Sequence, residues 1–109
     1  MLPKDIPFAT IDWSAVPATE HPGQSGTATW RTVELPGLRV RMVTYSPGYS
    51  ADHWCERGHV LLVLAGELVT ELRTGTEARL AAGQCYVVSD GMGAHRSRTQ
   101  GGAVLFIVD

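Results

Sequence analysis

The feature that most constrains this chain is the close, regular spacing of its turn residues. From Thr27 onward, Pro36-Gly37, Pro47-Gly48, Gly66, Thr74-Gly75, Gly83, the loop Asp90 to Gly93 and Gly101-Gly102 divide it into short segments. These are residues that favour tight turns or break regular structure. The segments between them read as strands. Ala28 to Leu35 comes first, and Leu38-Arg39-Val40-Arg41-Met42 then alternates apolar and polar, as a strand with one buried face does. Residues 51 to 55 follow, then 59 to 65, whose continuous apolar run predicts a strand covered on both faces. Residues 68 to 72, 77 to 82, 84 to 89, 94 to 99 and 103 to 108 complete a set of roughly nine strands. Helical periodicity is almost absent. Short, closely spaced strands must hide both their apolar faces and their edges, which calls for a sandwich or a closed barrel. The fold class expected is all-β.

The first 26 residues differ. Pro3, Pro7, Pro17 and Pro22, with Gly23 and Gly26, argue against long regular elements. Residues 1–26 are read as an extended N-terminal arm and 27–109 as the barrel. A short turn is expected near Asp12-Trp13-Ser14, with Asp12 or Ser14 capping a few helical residues and Trp13 anchoring the arm. At 109 residues the chain is one domain, able to bury a core without disulfide support.

Composition narrows the function classes. A formal net charge of −2, with cations scattered apart from Arg39/Arg41 and Arg96/Arg98, gives no electrostatic case for nucleic acid or acidic membrane. The longest apolar run, Val60 to Ala65, falls far short of a membrane span. No charged stretch followed by an apolar run opens the sequence, so a signal peptide is not expected. Cys55 and Cys85 are too few for a secreted disulfide scaffold, and a reduced, cytoplasmic chain is the expectation.

Two stretches carry chemistry. In Gly48-Tyr49-Ser50-Ala51-Asp52-His53-Trp54-Cys55-Glu56-Arg57-Gly58-His59, continuing to Gly66, metal-ligand residue types recur at 53, 55 and 59. The second, Gly83 to His95, ends on another histidine. The first resembles the first motif of the cupins, with His53 at its first His, Cys55 at its second, His59 at its Glu and Gly66 at its final Gly. Gly83 to His95 is similar to the second cupin motif. More narrowly, Asp52-His53-Trp54-Cys55, Gly58-His59, Ala94-His95-Arg96-Ser97 and the ending Leu105 to Asp109 resemble the "DHCW motif" cupin-fold subgroup, whose biochemical role is unassigned. The resemblance implies a small single-domain cupin, a double-stranded β-helix or jelly-roll barrel, that pairs as a homodimer.

It also implies a metal held by His53, Cys55, His59 and His95. On a strand, His53 and Cys55 would face one way and Trp54 the other. His59 would begin the next strand, and the second motif would bring His95 to the same point. Three imidazoles and a thiolate suit a divalent transition metal, Zn or Fe, rather than Mg²⁺ or Ca²⁺. The departures from the motif are Cys55 for a His, His59 for the carboxylate, Ser89 for a Pro, Thr99 for the terminal Asn, and one extra residue before His95. Each metal position keeps a ligand-capable side chain, but the carboxylate on which borrowed dioxygenase or isomerase activity would depend is gone.

Each reading has a plainer counterpart. The histidines could be hydrogen-bonded residues lining a barrel mouth, and Cys55 a small residue facing the cavity. Cys85 shares a strand face with Val87 and is read as core, and His21 as a surface residue of the arm. Asp52 is a candidate partner of the site or a turn former. Tyr49, Tyr86 and Trp54 are candidate pocket residues or packing. Arg96 could bind an anionic substrate or pair with an acidic side chain. Three functions compete: a metalloenzyme, a structural-metal module, and a metal-free barrel binding a small molecule. A closed tetrahedron has no vacant position, whereas three protein ligands leave one. Whether Cys55 coordinates separates the first two.

Overall fold

The computed structural model describes residues 2–109. A 3-10 turn, Trp13–Ala15, is capped by Asp12, whose carboxylate accepts from the Ser14 amide. Eight strands follow among the described residues: β1 (Ala18–Pro22), β2 (Thr27–Leu35), β3 (Leu38–Tyr45), β4 (His59–Leu72), β5 (Glu77–Ala81), β6 (Cys85–Val88), β7 (His95–Arg98) and β8 (Ala103–Val108). All pairings between strands are antiparallel. The order β1-β2-β3-β8-β4-β5 is completed by β6 and β7, each paired to β4. No helix among the described residues is long and apolar enough to cross a membrane.

β4 organises the fold. Its first half pairs with β8 and β6, its second with β5 and β7. The two halves meet at a register shift between Val63 and Ala65, followed by Gly66 at φ 79°. A Cβ at Gly66 would lie 2.1 Å from the Gly102 carbonyl oxygen, so only glycine permits this approach. The Gly66 punctuation thus bends one long strand; the expected division into 59–65 and 68–72 is a corner inside a single element.

Three further expectations change. The run at the start of β4 is covered on one face only: Leu61 and Val63 are 2 % and 0 % exposed, but Val60 and Leu64 are 45 % and 42 %. Continuous hydrophobicity here reflects an outer face that is also apolar. Cys85 is exposed, as is Val87, because β6 turns Tyr86 and Val88 inward. Residues 51 to 55 form no strand; Cys55 makes an isolated bridge to His95. Within 1–26, β1 pairs with β2 along Ala18 to Pro22, and Trp13 packs edge-on against Phe106, ring centroids 6.3 Å apart. His21 stacks on Trp30 at 3.8 Å.

The core follows the pleat. Ala28, Val43, Leu61, Val63, Leu68, Leu105 and Ile107 are all at most 4 % exposed. The register sets Arg41, Ile107, Leu61 and Tyr86 opposite one another across β3, β8, β4 and β6. Directly opposite residues share a face of the sheet, so this row points inward with Leu61. Two residues toward the barrel mouth, the same face carries Arg39, Asp109 and His59. The apparent alternation at Leu38 to Met42 therefore has its phase reversed at the arginines: Arg41 is 6 % exposed and lines the interior with Val43 and Tyr45.

Candidate metal centre and its cavity

Backbone pairing builds the centre. The Cys55 amide donates to the His95 carbonyl (2.7 Å) and the His95 amide to that of Cys55 (2.9 Å), the reciprocal exchange of a hydrogen-bonded antiparallel pair. His95 starts β7 and is 3 % exposed; His59 starts β4 with its side chain 7 % exposed. One ligand atom from each of Cys55, His59 and His95 lies within 4.8 Å of the others. The two imidazole Nε2 atoms stand 3.0 Å apart.

His53 is placed differently. Its side chain is 79 % exposed, and Nδ1 lies 2.6 Å from Asp52 Oδ1. It lines the rim of the cavity but stands outside the Cys55/His59/His95 group. Because 51–55 is not a strand, the period-two argument that aimed His53 alongside Cys55 does not apply. Asp52, considered as a partner of the site, holds that imidazole.

The surroundings fix the histidines. His95 Nδ1 is 2.8 Å from the Gly93 carbonyl, so it carries the hydrogen and leaves an Nε2 lone pair free. His59 Nε2 lies 2.9 Å from the Tyr86 hydroxyl. His59 Nδ1 is buried with no hydrogen-bond partner among the described residues, and Asp109 Oδ2 is 3.6 Å away. Burial, reinforced by the neighbouring His95, pushes the His59 pKa down to about 4, so the ring is neutral at physiological pH. Burial also pushes the Tyr86 hydroxyl well above the ordinary tyrosine value, keeping it protonated.

The centre opens on a cavity of about 250 Å³. Tyr86 lines it, as considered from the sequence. Tyr49, 8 % exposed, lines it too and stacks on Tyr45 at 4.2 Å. Arg96 borders it, but its Nε donates to Glu71 (2.8 Å) and its guanidinium lies 4.2 Å from the Trp54 ring. Sequence reasoning missed the arginines on the opposite wall. Arg39 donates twice to the Asp109 carboxylate, at 2.8 and 3.0 Å, and Arg41 once at 2.9 Å. Burial alone would raise the Asp109 pKa, but the Arg39 hydrogen bonds and the Arg41 charge outweigh it and hold the carboxyl below its usual range. The available signal was Val43 and Tyr45, which continue the phase of Arg39 and Arg41 and identify it as the inner one.

No protein-family model and no curated protein matches this sequence. Solved structures do match. An RmlC-like cupin from Shewanella frigidimarina is 15 % identical with a TM-score of 0.73, over 94 % of this chain and 90 % of that one. A predicted oxalate decarboxylase from Thermotoga maritima is 14 % identical, TM-score 0.74, over 92 % and 96 %. An Fe(II)-HppE with an alternative substrate is 17 % identical, TM-score 0.77, over 96 % of this chain and 62 % of that one. At such identities the likeness is one of backbone architecture, and on that ground the chain has the cupin fold.

Proposed function

We propose that this protein binds a divalent transition metal, Zn or Fe, through Cys55, His59 and His95, and presents it to a small molecule in the cavity. The observation that carries the reading is the pair of Nε2 atoms 3.0 Å apart. With its hydrogen on Nδ1, toward the Asp109 carboxylate, His59 turns a bare Nε2 toward the bare Nε2 of His95. Two lone pairs at that distance repel unless a cation lies between them. The other tautomer lets His59 Nε2 donate to His95, but it turns a bare Nδ1 toward the carboxylate.

The spacing suits an ion. Two imidazoles on one tetrahedral Zn²⁺ have nitrogens about 3.3 Å apart, given Zn–N bonds near 2.0–2.1 Å. One ligand atom of each of Cys55, His59 and His95 lies within 4.8 Å of the other two, so the sulfur is in range to join the imidazoles. Bound there, the metal would supply Lewis acidity. The protein's own residues supply the rest: the Gly93 carbonyl orients the His95 imidazole, the Asp109 carboxylate stands 3.6 Å from His59 Nδ1, and Tyr86 offers a protonated hydroxyl beside them. The Fe(II)-bound protein of similar fold is consistent with this use of the barrel.

Three protein ligands leave a position for water or ligand, which favours chemistry or ligand binding over a closed structural site. A structural site would require His53 to leave Asp52 and turn inward. The choice between the two readings therefore rests on His53 rather than on Cys55. Elemental analysis of untagged, reconstituted protein, repeated on Cys55→Ala and His95→Ala, tests the proposal. One ion per chain in the parent and a sharp loss in both variants is expected; less than about 0.1 ion per parent chain would sink it.

A further inference from the structure

The wall facing the metal ligands has an unusual charge balance for a barrel interior. Four arginines (Arg39, Arg41, Arg57 and Arg96) border the cavity, against a single carboxylate, Asp109. Arg96 is committed to Glu71, and Arg39 is committed to Asp109 in a two-point pair. Arg41 is not fully used. It is 6 % exposed, donates one Nη2 bond to Asp109, and keeps a buried Nε with no hydrogen-bond partner among the described residues. A buried, unpaired guanidinium N–H is costly, and the Arg41 side chain that carries it lines the cavity. Trp30, 4.5 Å from the guanidinium carbon, fixes its plane. At the mouth Arg57 is half exposed, with Nε 3.6 Å from Asp109.

We infer that the cavity selects a small organic acid, its carboxylate received by Arg41 with Arg57 at the rim and its body lying toward the metal ligands. This rests on the reading of the cavity as the ligand site and names the class of ligand. The chemistry favours a carboxylate: a guanidinium presents its N–H groups in a plane that matches a planar carboxylate. The floor of Val43, Leu61 and Ile107, with the stacked Tyr45 and Tyr49, suits an apolar or aromatic body. At roughly 30 Å³ per water, the cavity holds the equivalent of about eight waters, which leaves room for an acid the size of benzoate.

The test is titration of the intact chain with benzoate, with its neutral isostere benzamide and with inorganic phosphate, with and without one equivalent of Zn²⁺. Benzoate should bind at least about 10-fold more tightly than either competitor, and should move the Arg41 Nε–H resonance in the unmutated protein. Arg41→Met should lose about 10- to 100-fold in benzoate affinity and little in benzamide affinity, and Arg41→Lys should recover part of it. Arg57→Met, at an exposed side chain, should cost a few-fold without affecting folding. Equal affinity for benzoate and benzamide, or an Arg41 Nε–H unmoved by benzoate, overturns the inference. So does phosphate binding as tightly as benzoate, which would mark a general anion site. The metal is scored separately by Zn²⁺ uptake: protein that takes no Zn²⁺ but discriminates benzoate from benzamide refutes the metal centre and supports the acid site. The converse result refutes the acid site alone.

Discussion

His59 and His95 approach Nε2 to Nε2 at 3.0 Å, from the first residues of β4 and β7. One backbone pair, Cys55 with His95, then brings a sulfur within reach of both. His95 comes from a distant part of the chain and meets Cys55 and His59 only when the barrel closes, so binding an ion should stabilise the fold as a whole.

Zn²⁺ at about 100 times its dissociation constant should stabilise the parent by about 2.7 kcal/mol. For a domain of this size that is a rise in Tm of about 10 °C. Cys55→Ser, His59→Gln and His95→Gln should each lose most of that rise in thermal melts with and without EDTA. A rise retained in full by His95→Gln would refute the assigned ligand set.

His53→Ala should leave Zn²⁺ affinity within about 3-fold of the parent, because its imidazole is exposed and held by Asp52. Loss of a true ligand should cost far more, since even partners of the ligands typically cost 10- to 100-fold. Competition against a chromophoric chelator measures the difference, and a loss beyond about 10-fold would identify a closed four-ligand site.

Acid should weaken the metal-free protein before its carboxylates titrate. His59 is held at about 4 in the fold, against an ordinary 6.5, so between those values the unfolded chain binds the proton first. Stability is then intact above pH 6.5 and declines as pH falls toward 4, by about 1–2 kcal/mol, allowing for the coupling to His95. Urea denaturation at pH 7.5 and 5 should show the decline in the parent and a flatter profile in His59→Gln.

Asp109→Asn should cost about 2–4 kcal/mol, since it leaves Arg41 buried without its counter-charge and removes the two-point bond to Arg39. The Asp109 pKa is depressed in the fold, so its contribution is complete above the ordinary carboxylate value and disappears only as pH falls through the lower folded one. Urea denaturation at pH 7 should show the full loss, and a change below about 1 kcal/mol would mean that solvent screens the pair.

Much of this was legible in the sequence, for a physical reason. Glycine and proline mark turns through local backbone geometry, so strand-rich architecture can be read from their spacing, and His59 and His95 can be placed at strand starts. The errors lie where geometry is not local. Gly66 is a turn residue by type but bends β4, because what needs its missing Cβ is the Gly102 carbonyl on another strand. His53 follows the strand period in sequence, yet the chain at 52 and 53 bends, and alternation gives no direction there. Arg41 was hidden by the usual rule that charge faces water; its phase shows only when the strand is followed to Val43 and Tyr45. β1 carries Pro22 and sits on an exposed edge, where pairing with β2 tolerates residues that an inner strand would reject.

The sharing of β4 between its two sets of partners also limits how the molecule can move. Jaws that open about a hinge need separate halves, and here one covalent strand is common to both. Traffic into the interior must therefore pass the rim, where residues 51–57 carry no strand of their own. A ligand entering or leaving there would pass that short segment, which also carries Cys55. Exchange of ligand and loosening of the sulfur would then be a single event.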